Sequence, residues 1–69
     1  MSATVDARGL CCPWPVLRLA RAMRSADSAT IIADDPAAPA EIAALARAQG
    51  WAVSGQDGTF FVSRAVDNN

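Results

Sequence analysis

The sequence predicts an α/β (α+β) two-layer sandwich: a mixed four-stranded sheet with two helices on one face, in the order β-α-β-α-β-β. Three observations lead there. Short runs rich in β-branched residues alternate with longer stretches whose apolar residues recur at helical spacing. A helix between the first two strands obliges them to run parallel, with a right-handed crossover. The dipeptide Asp57-Gly58 between two alternating runs marks a two-residue hairpin and closes the chain with an antiparallel pair.

Each element has its own signal. Ala3-Thr4-Val5-Asp6-Ala7 alternates and reads as the first strand, after which Arg8-Gly9-Leu10 turns the chain. Gly9 supplies there either a backbone angle or a close approach that a Cβ would forbid. From Pro13 to about Arg24, Val16, Leu19, Ala20 and Met23 fall at i, i+3, i+4 and i+7, the stripe of a half-buried helix. Arg18, Arg21 and Arg24 lie off that stripe, as a solvated face or as a docking surface for an acidic partner. Ala29-Thr30-Ile31-Ile32-Ala33 reads as a buried second strand. Asp34-Asp35-Pro36 ends it, and the acidic pair, through Asp35, is expected to cap the second helix rather than to serve a catalytic or partner-binding role; that helix starts at Pro36 or only at Pro39. Ile42, Leu45, Ala46 and Gln49 continue that helix, and Gly50 stops it in a left-handed conformation. Residues 51–56 and 59–64 form the hairpin. Its register puts Trp51, Val53, Phe60, Val62 and the stem of Arg64 on the helix face, and Ala52, Ser54, Phe61 and Ser63 on the open face. Ala65 to Asn69 reads as a frayed tail.

Sixty-nine residues allow one domain, taken as residues 1–69, since a chain of this size buries only about 60% of the surface its unfolded form exposes. Six arginines against seven acids leave a net charge of -1, which argues against direct nucleic-acid binding. No apolar run approaches the roughly 20 residues of a membrane span, and Asp6 and Arg8 spoil a signal-peptide reading of the N-terminus. A soluble cytoplasmic protein with reduced thiols is expected. Two adjacent cysteines without a histidine make a poor metal site, and neither a metal nor another cofactor is expected.

Reactive chemistry concentrates in Leu10-Cys11-Cys12-Pro13-Trp14-Pro15, because Cys11 and Cys12 are the only cysteines and the chain has neither histidine nor lysine. With Cys12 at the N-cap, Pro13 and Pro15 occupy the first and third helical positions. The bias of a residue before proline towards extended geometry also allows the helix to begin at Pro15. In either register the sulfur lies near the positive end of a helix dipole, with the amides of Cys12 and Trp14 as expected donors to an anion. That setting lowers a thiol pKa and suits both a nucleophilic thiolate and the charge of a persulfide. The plainer reading of a lone cysteine is a small buried hydrophobe. A thiol redox protein using Cys11 and Cys12 is a competing reading, weakened by the strain of a vicinal disulfide. A binding or regulatory module without chemistry is another.

The run Asp6-Ala7-Arg8-Gly9-Leu10-Cys11-Cys12-Pro13-Trp14-Pro15-Val16-Leu17 resembles the signature of the TusA (SirA-like) sulfur-carrier family, whose core is Cys-Pro-x-Pro. The likeness extends through Ile31-Ile32-Ala33-Asp34-Asp35-Pro36, Glu41-Ile42, Gly50 and the closing hairpin. It implies a two-layer sandwich and a cysteine, mapping onto Cys12, that carries sulfur as a persulfide, with Gly9, Pro13 and Pro15 as supporting motif positions. It also implies protein partners: a sulfur donor of the cysteine desulfurase or rhodanese type, and an acceptor in a route such as tRNA thiolation, cofactor synthesis or sulfur oxidation. Cys11 fills the variable position before the motif cysteine, a departure from the commoner pattern.

Overall fold

A computed structural model describes residues 2–11 and 13–64. The elements follow the expected order: β1 (Ser2–Asp6), α1 (Trp14–Ala22), β2 (Ser28–Ile32), α2 (Ala38–Gln49), β3 (Trp51–Gln56) and β4 (Thr59–Arg64). β1 and β2 each lie one residue earlier than the alternation suggested. The four strands form one mixed sheet in the order β1-β2-β4-β3, with β1 and β2 parallel and the other two pairs antiparallel. The expected tail, Ala65 to Asn69, lies outside the described residues.

Pleating sorts the sheet residues onto two faces. Val5, Ala29, Ile31 and Val62 are buried towards the helices, and pairing sets Val5 beside Ile31 and Ala29 beside Val62. Leu19 and Met23 of the α1 region and Ala38 and Ile42 of α2 close over them. Full burial of a side chain such as Ile31 or Leu19 contributes about 1.5–3 kcal/mol. The opposite face is open: Thr4, Thr30, Phe61 and Ser54 run across it in register, and Phe61 is 55% exposed. The hairpin faces are those the sequence indicates. Val53, however, stands on the outer strand and stays 38% exposed.

The chain ends its elements by local chemistry. α1 stops at Ala22, two residues short of the expected Arg24, and Arg24 and Ser25 continue as turns whose amides reach the carbonyls of Arg21 and Ala22. The Arg64 guanidinium, arriving from β4, donates to the Met23 carbonyl and so satisfies one of the exposed carbonyls at this helix end. α2 begins at Ala38 after Ala37, between the two starts the prolines allowed, and ends on Gly50 in the left-handed conformation. In the hairpin Gln56 pairs with Thr59, and Asp57 and Gly58 both have positive φ (55° and 84°), as a type I′ turn requires. Gly58 is further constrained because a Cβ there would stand 2.9 Å from the Ala33 carbonyl oxygen. The Gly58 carbonyl in turn accepts the Ala33 amide at 2.8 Å, which ties the hairpin tip to the end of β2.

Truncation should therefore separate the two faces. Ile31→Ala is expected to lower unfolding free energy by about 2–5 kcal/mol in denaturant titration, whereas Phe61→Ser on the open face should change it by less than about 1 kcal/mol.

Candidate functional site

The candidate site lies in the connection from β1 to α1. Cys12 itself lies outside the described residues, while the residues on either side of it are described. The Ala7 amide carries the parallel ladder one step past β1, onto the Ile32 carbonyl at 2.7 Å. The Leu10 amide then donates to the Ala7 carbonyl at 3.2 Å, closing a turn over Arg8 and Gly9. Gly9 has φ +81°, the sign that a type II turn demands at its third position. A Cβ at Gly9 would meet nothing within 4 Å, so of the two roles open to this glycine the structure selects the backbone angle.

Two carboxylates hold this turn. Asp6 accepts from the Arg8 amide at 3.2 Å, from its Nε at 2.9 Å and from its Nη2 at 2.8 Å. The Arg8 hydrogen bonds lower the Asp6 pKa from 3.8 to about 2. Asp34 reaches across from the end of β2, where its Oδ1 accepts the Gly9 amide at 3.0 Å. The acidic pair, expected to cap α2, is thus divided. Asp34 serves the β1–α1 turn, while Asp35 accepts the Ala37 amide at 3.2 Å and shapes the bend before α2 without being its N-cap. Strand pairing explains the placement of Asp34: the parallel register sets each β1 residue beside one 26 positions later, so the residues after β1 meet those after β2, a juxtaposition no local sequence signal specifies.

The entrance to α1 differs from both expected registers. Pro13 is the N-cap with φ −93° and ψ 13°, Trp14 is the first helical residue, and Pro15 the second. The Trp14 amide donates to the Cys11 carbonyl at 2.9 Å, and the Leu17 amide to the Pro13 carbonyl at 3.0 Å. The Trp14 N–H, expected as a donor to an anion, is therefore already engaged, and Pro13 and Pro15 have none to offer. The Cys12 amide, the other expected donor, lies outside the described residues, and the dipole of α1 favours a negative charge at this end. Leu10 packs against the core on one side and Pro15 is buried on the other. Between these anchors Cys11, Pro13 and Trp14 are exposed, Trp14 by 58%, and Cys11 is a free thiol. A short segment held at both ends, with its described residues open to solvent, suits contact with another macromolecule. Among the described residues no cluster of side chains could hold a metal ion, and no helix is long and apolar enough to cross a membrane.

Comparison with known proteins bears on what this segment serves. The family described as "Sulfurtransferase TusA" matches residues 3–64, from within β1 to the end of β4. The chain belongs to the TusA family. Two Neisseria meningitidis proteins, one from a serogroup A strain and one from a serogroup B strain, each carry the name "putative sulfur carrier protein". Each is 40% identical to this chain over 65 residues, covering 86% of it and 88% of the relative. TusA membership supports a role in sulfur transfer in general terms.

The clasp around Gly9 makes two expectations. Followed by NMR, the Asp6 carboxylate should titrate near 2 and return towards 3.8 in Arg8→Ala. Because its folded pKa is depressed, the stability this pair adds is present above 3.8 and is lost as pH falls through about 2. Asp34→Ala should speed amide exchange at Gly9 and cost about 0.5–1.5 kcal/mol, while Asp34→Asn, which keeps an acceptor oxygen, should retain most of the protection.

Proposed function

We propose that this TusA family member is a sulfur carrier that accepts sulfur on Cys12 as a persulfide and relays it to an acceptor protein. The observation that carries the reading is the run Arg8-Gly9-Leu10-Cys11-Cys12-Pro13-Trp14-Pro15, inside the region matched by the family, in a segment anchored by Leu10 and Pro15 whose described residues between them are exposed. In the loading step the Cys12 thiolate attacks the terminal sulfur of a persulfide on the donor. A sulfur–sulfur bond forms to Cys12, the bond on the donor breaks, and the donor cysteine leaves as a thiolate. In the relay step a nucleophile of the acceptor takes the same terminal sulfur, and Cys12 leaves as a thiolate. No external oxidant or reductant is needed. The helix dipole favours the negative charge that returns to Cys12.

The donor is of the cysteine desulfurase or rhodanese type, and the exchange takes place between proteins in the cytoplasm rather than on nucleic acid or at a membrane. Residues 1–69 act as one domain. Gly9, Pro13 and Pro15 support the thiol by fixing the turn before it and the helix entrance after it. Cys11, exposed and free, is a bystander.

Incubation with a cysteine desulfurase and cysteine, followed by intact-mass measurement, tests this. The expected product is the chain carrying added sulfur, lost in Cys12→Ser and retained in Cys11→Ser. Loading that survives in Cys12→Ser would overturn the assignment. In a coupled assay with an acceptor, Gly9→Val is expected to slow transfer at least tenfold, because the positive φ of Gly9 is strained for a β-branched residue.

A further inference from the structure

β1 is an edge of the sheet, and its outer side is unmatched among the described residues. Because the Ala7 N–H points inward to Ile32, strand alternation turns the N–H and C=O groups of Thr4 and Asp6 outward. Beside this edge runs a groove of about 700 Å³, with Thr4, Val5 and Asp6 on one wall and Trp14, Leu17, Arg18 and Arg21 on the other. The four α1 residues stand at i, i+3, i+4 and i+7 and so share one face of the helix. Trp14 and Leu17 are 58% and 50% exposed, which is uncommon for side chains of this size on a small chain whose other face is buried. Arg18 and Arg21 are exposed and have no ion-pair partner among the described residues. The one acid on the strand wall, Asp6, is neutralised by Arg8.

We propose that this groove docks an extended, acidic segment of a partner protein, which pairs as an added antiparallel strand with the outer edge of β1. The edge supplies main-chain hydrogen bonds, the mode by which sheet edges recognise extended peptides. Trp14 and Leu17 receive an apolar side chain near the Cys11–Pro13 end, and Arg18 and Arg21 receive carboxylates further along. The dimensions agree: Trp14 to Arg21 rises about 10 Å along the helix, close to what three to four strand residues span. A second copy of the chain is a poorer occupant. Antiparallel pairing of two β1 strands about a two-fold axis would set the α1 helices of both copies side by side, bringing arginine faces of like charge together. The docking goes beyond the sulfur chemistry and does not depend on which cysteine carries sulfur.

The test uses the unloaded, isotope-labelled chain and the blocked peptide acetyl-Leu-Thr-Glu-Thr-Glu-amide, whose alternate residues present one apolar and two acidic side chains to α1. Saturable shifts are expected at the Thr4 and Asp6 amides and the Trp14 indole, with slowed exchange at those two amides. Reversing both charges with Arg18→Glu and Arg21→Glu should weaken binding by about tenfold or more. A peptide N-methylated at its threonines tests strand pairing without altering the protein: it keeps its charges but should lose binding. The proposal is overturned if the counterpart with lysines in place of glutamates binds as well, if the N-methylated peptide is unaffected, or if the shifts are absent or map to the open face around Phe61. Concentration-dependent shifts at Thr4 and Asp6 without peptide would also overturn it in favour of a second copy. Sulfur loading, measured separately on the same variants, is expected to be unchanged with a small-molecule persulfide donor.

Discussion

The parallel pairing of β1 with β2 is the constraint on which the rest of the structure depends. Its register sets Val5 beside Ile31 and builds the centre of the core. Carried past the strand ends, the same register brings the residues after β1 against those after β2. There the Ala7 amide meets the Ile32 carbonyl and Asp34 receives the Gly9 amide. Parallel strands cannot be joined by a tight turn, so α1 must cross between them, and the segment leading into α1 falls at the same end of the sheet as Asp34. The turn that leads towards Cys12 is thus placed by sheet topology and secured by the hydrogen bond that Asp34, far away in sequence, accepts from the Gly9 amide.

The hairpin completes the device. β4 enters between β2 and β3, and Val62 fills the core beside Ala29. The tip at Gly58 joins the Ala33 backbone immediately before Asp34. Two β-turns and one carboxylate therefore meet around the end of β2. This is economical in a small chain, where a single core must also hold an exposed turn in place. The exposure of Trp14 and Leu17 belongs to the same compromise: α1 turns Pro15, Leu19 and the following Met23 inward to hold the fold and leaves Trp14 and Leu17 at the surface beside β1.

Much of this was legible from residue patterns. The stripe of Val16, Leu19, Ala20 and Met23, the β-branched run at Ile31-Ile32 and the Asp57-Gly58 turn each specify local structure through periodicity or backbone angle, and the structure contains all three. The helix entrance was less legible. Proline chemistry allowed two registers, and the structure adopts a third, with Pro13 as N-cap, in which the Cys11 carbonyl takes the Trp14 amide. Of the two amides expected as donors to an anion, that of Trp14 is thereby engaged, while that of Cys12 lies outside the described residues. The acidic pair was misassigned for a similar reason: aspartate before a helix commonly caps it, and only the strand pairing shows that Asp34 faces the other way.

By itself the sequence determined the order of the elements, the faces of the hairpin, the family resemblance and the location of the two cysteines, because these follow from spacing and residue type along a short stretch of chain. Only the tertiary structure decided that β4 lies in the middle of the sheet, that Asp34 clasps Gly9, and that the edge of β1 and the exposed face of α1 line one groove. Each of these joins residues distant in the chain, and such contacts are chosen by how the buried faces fit one another rather than by any local preference.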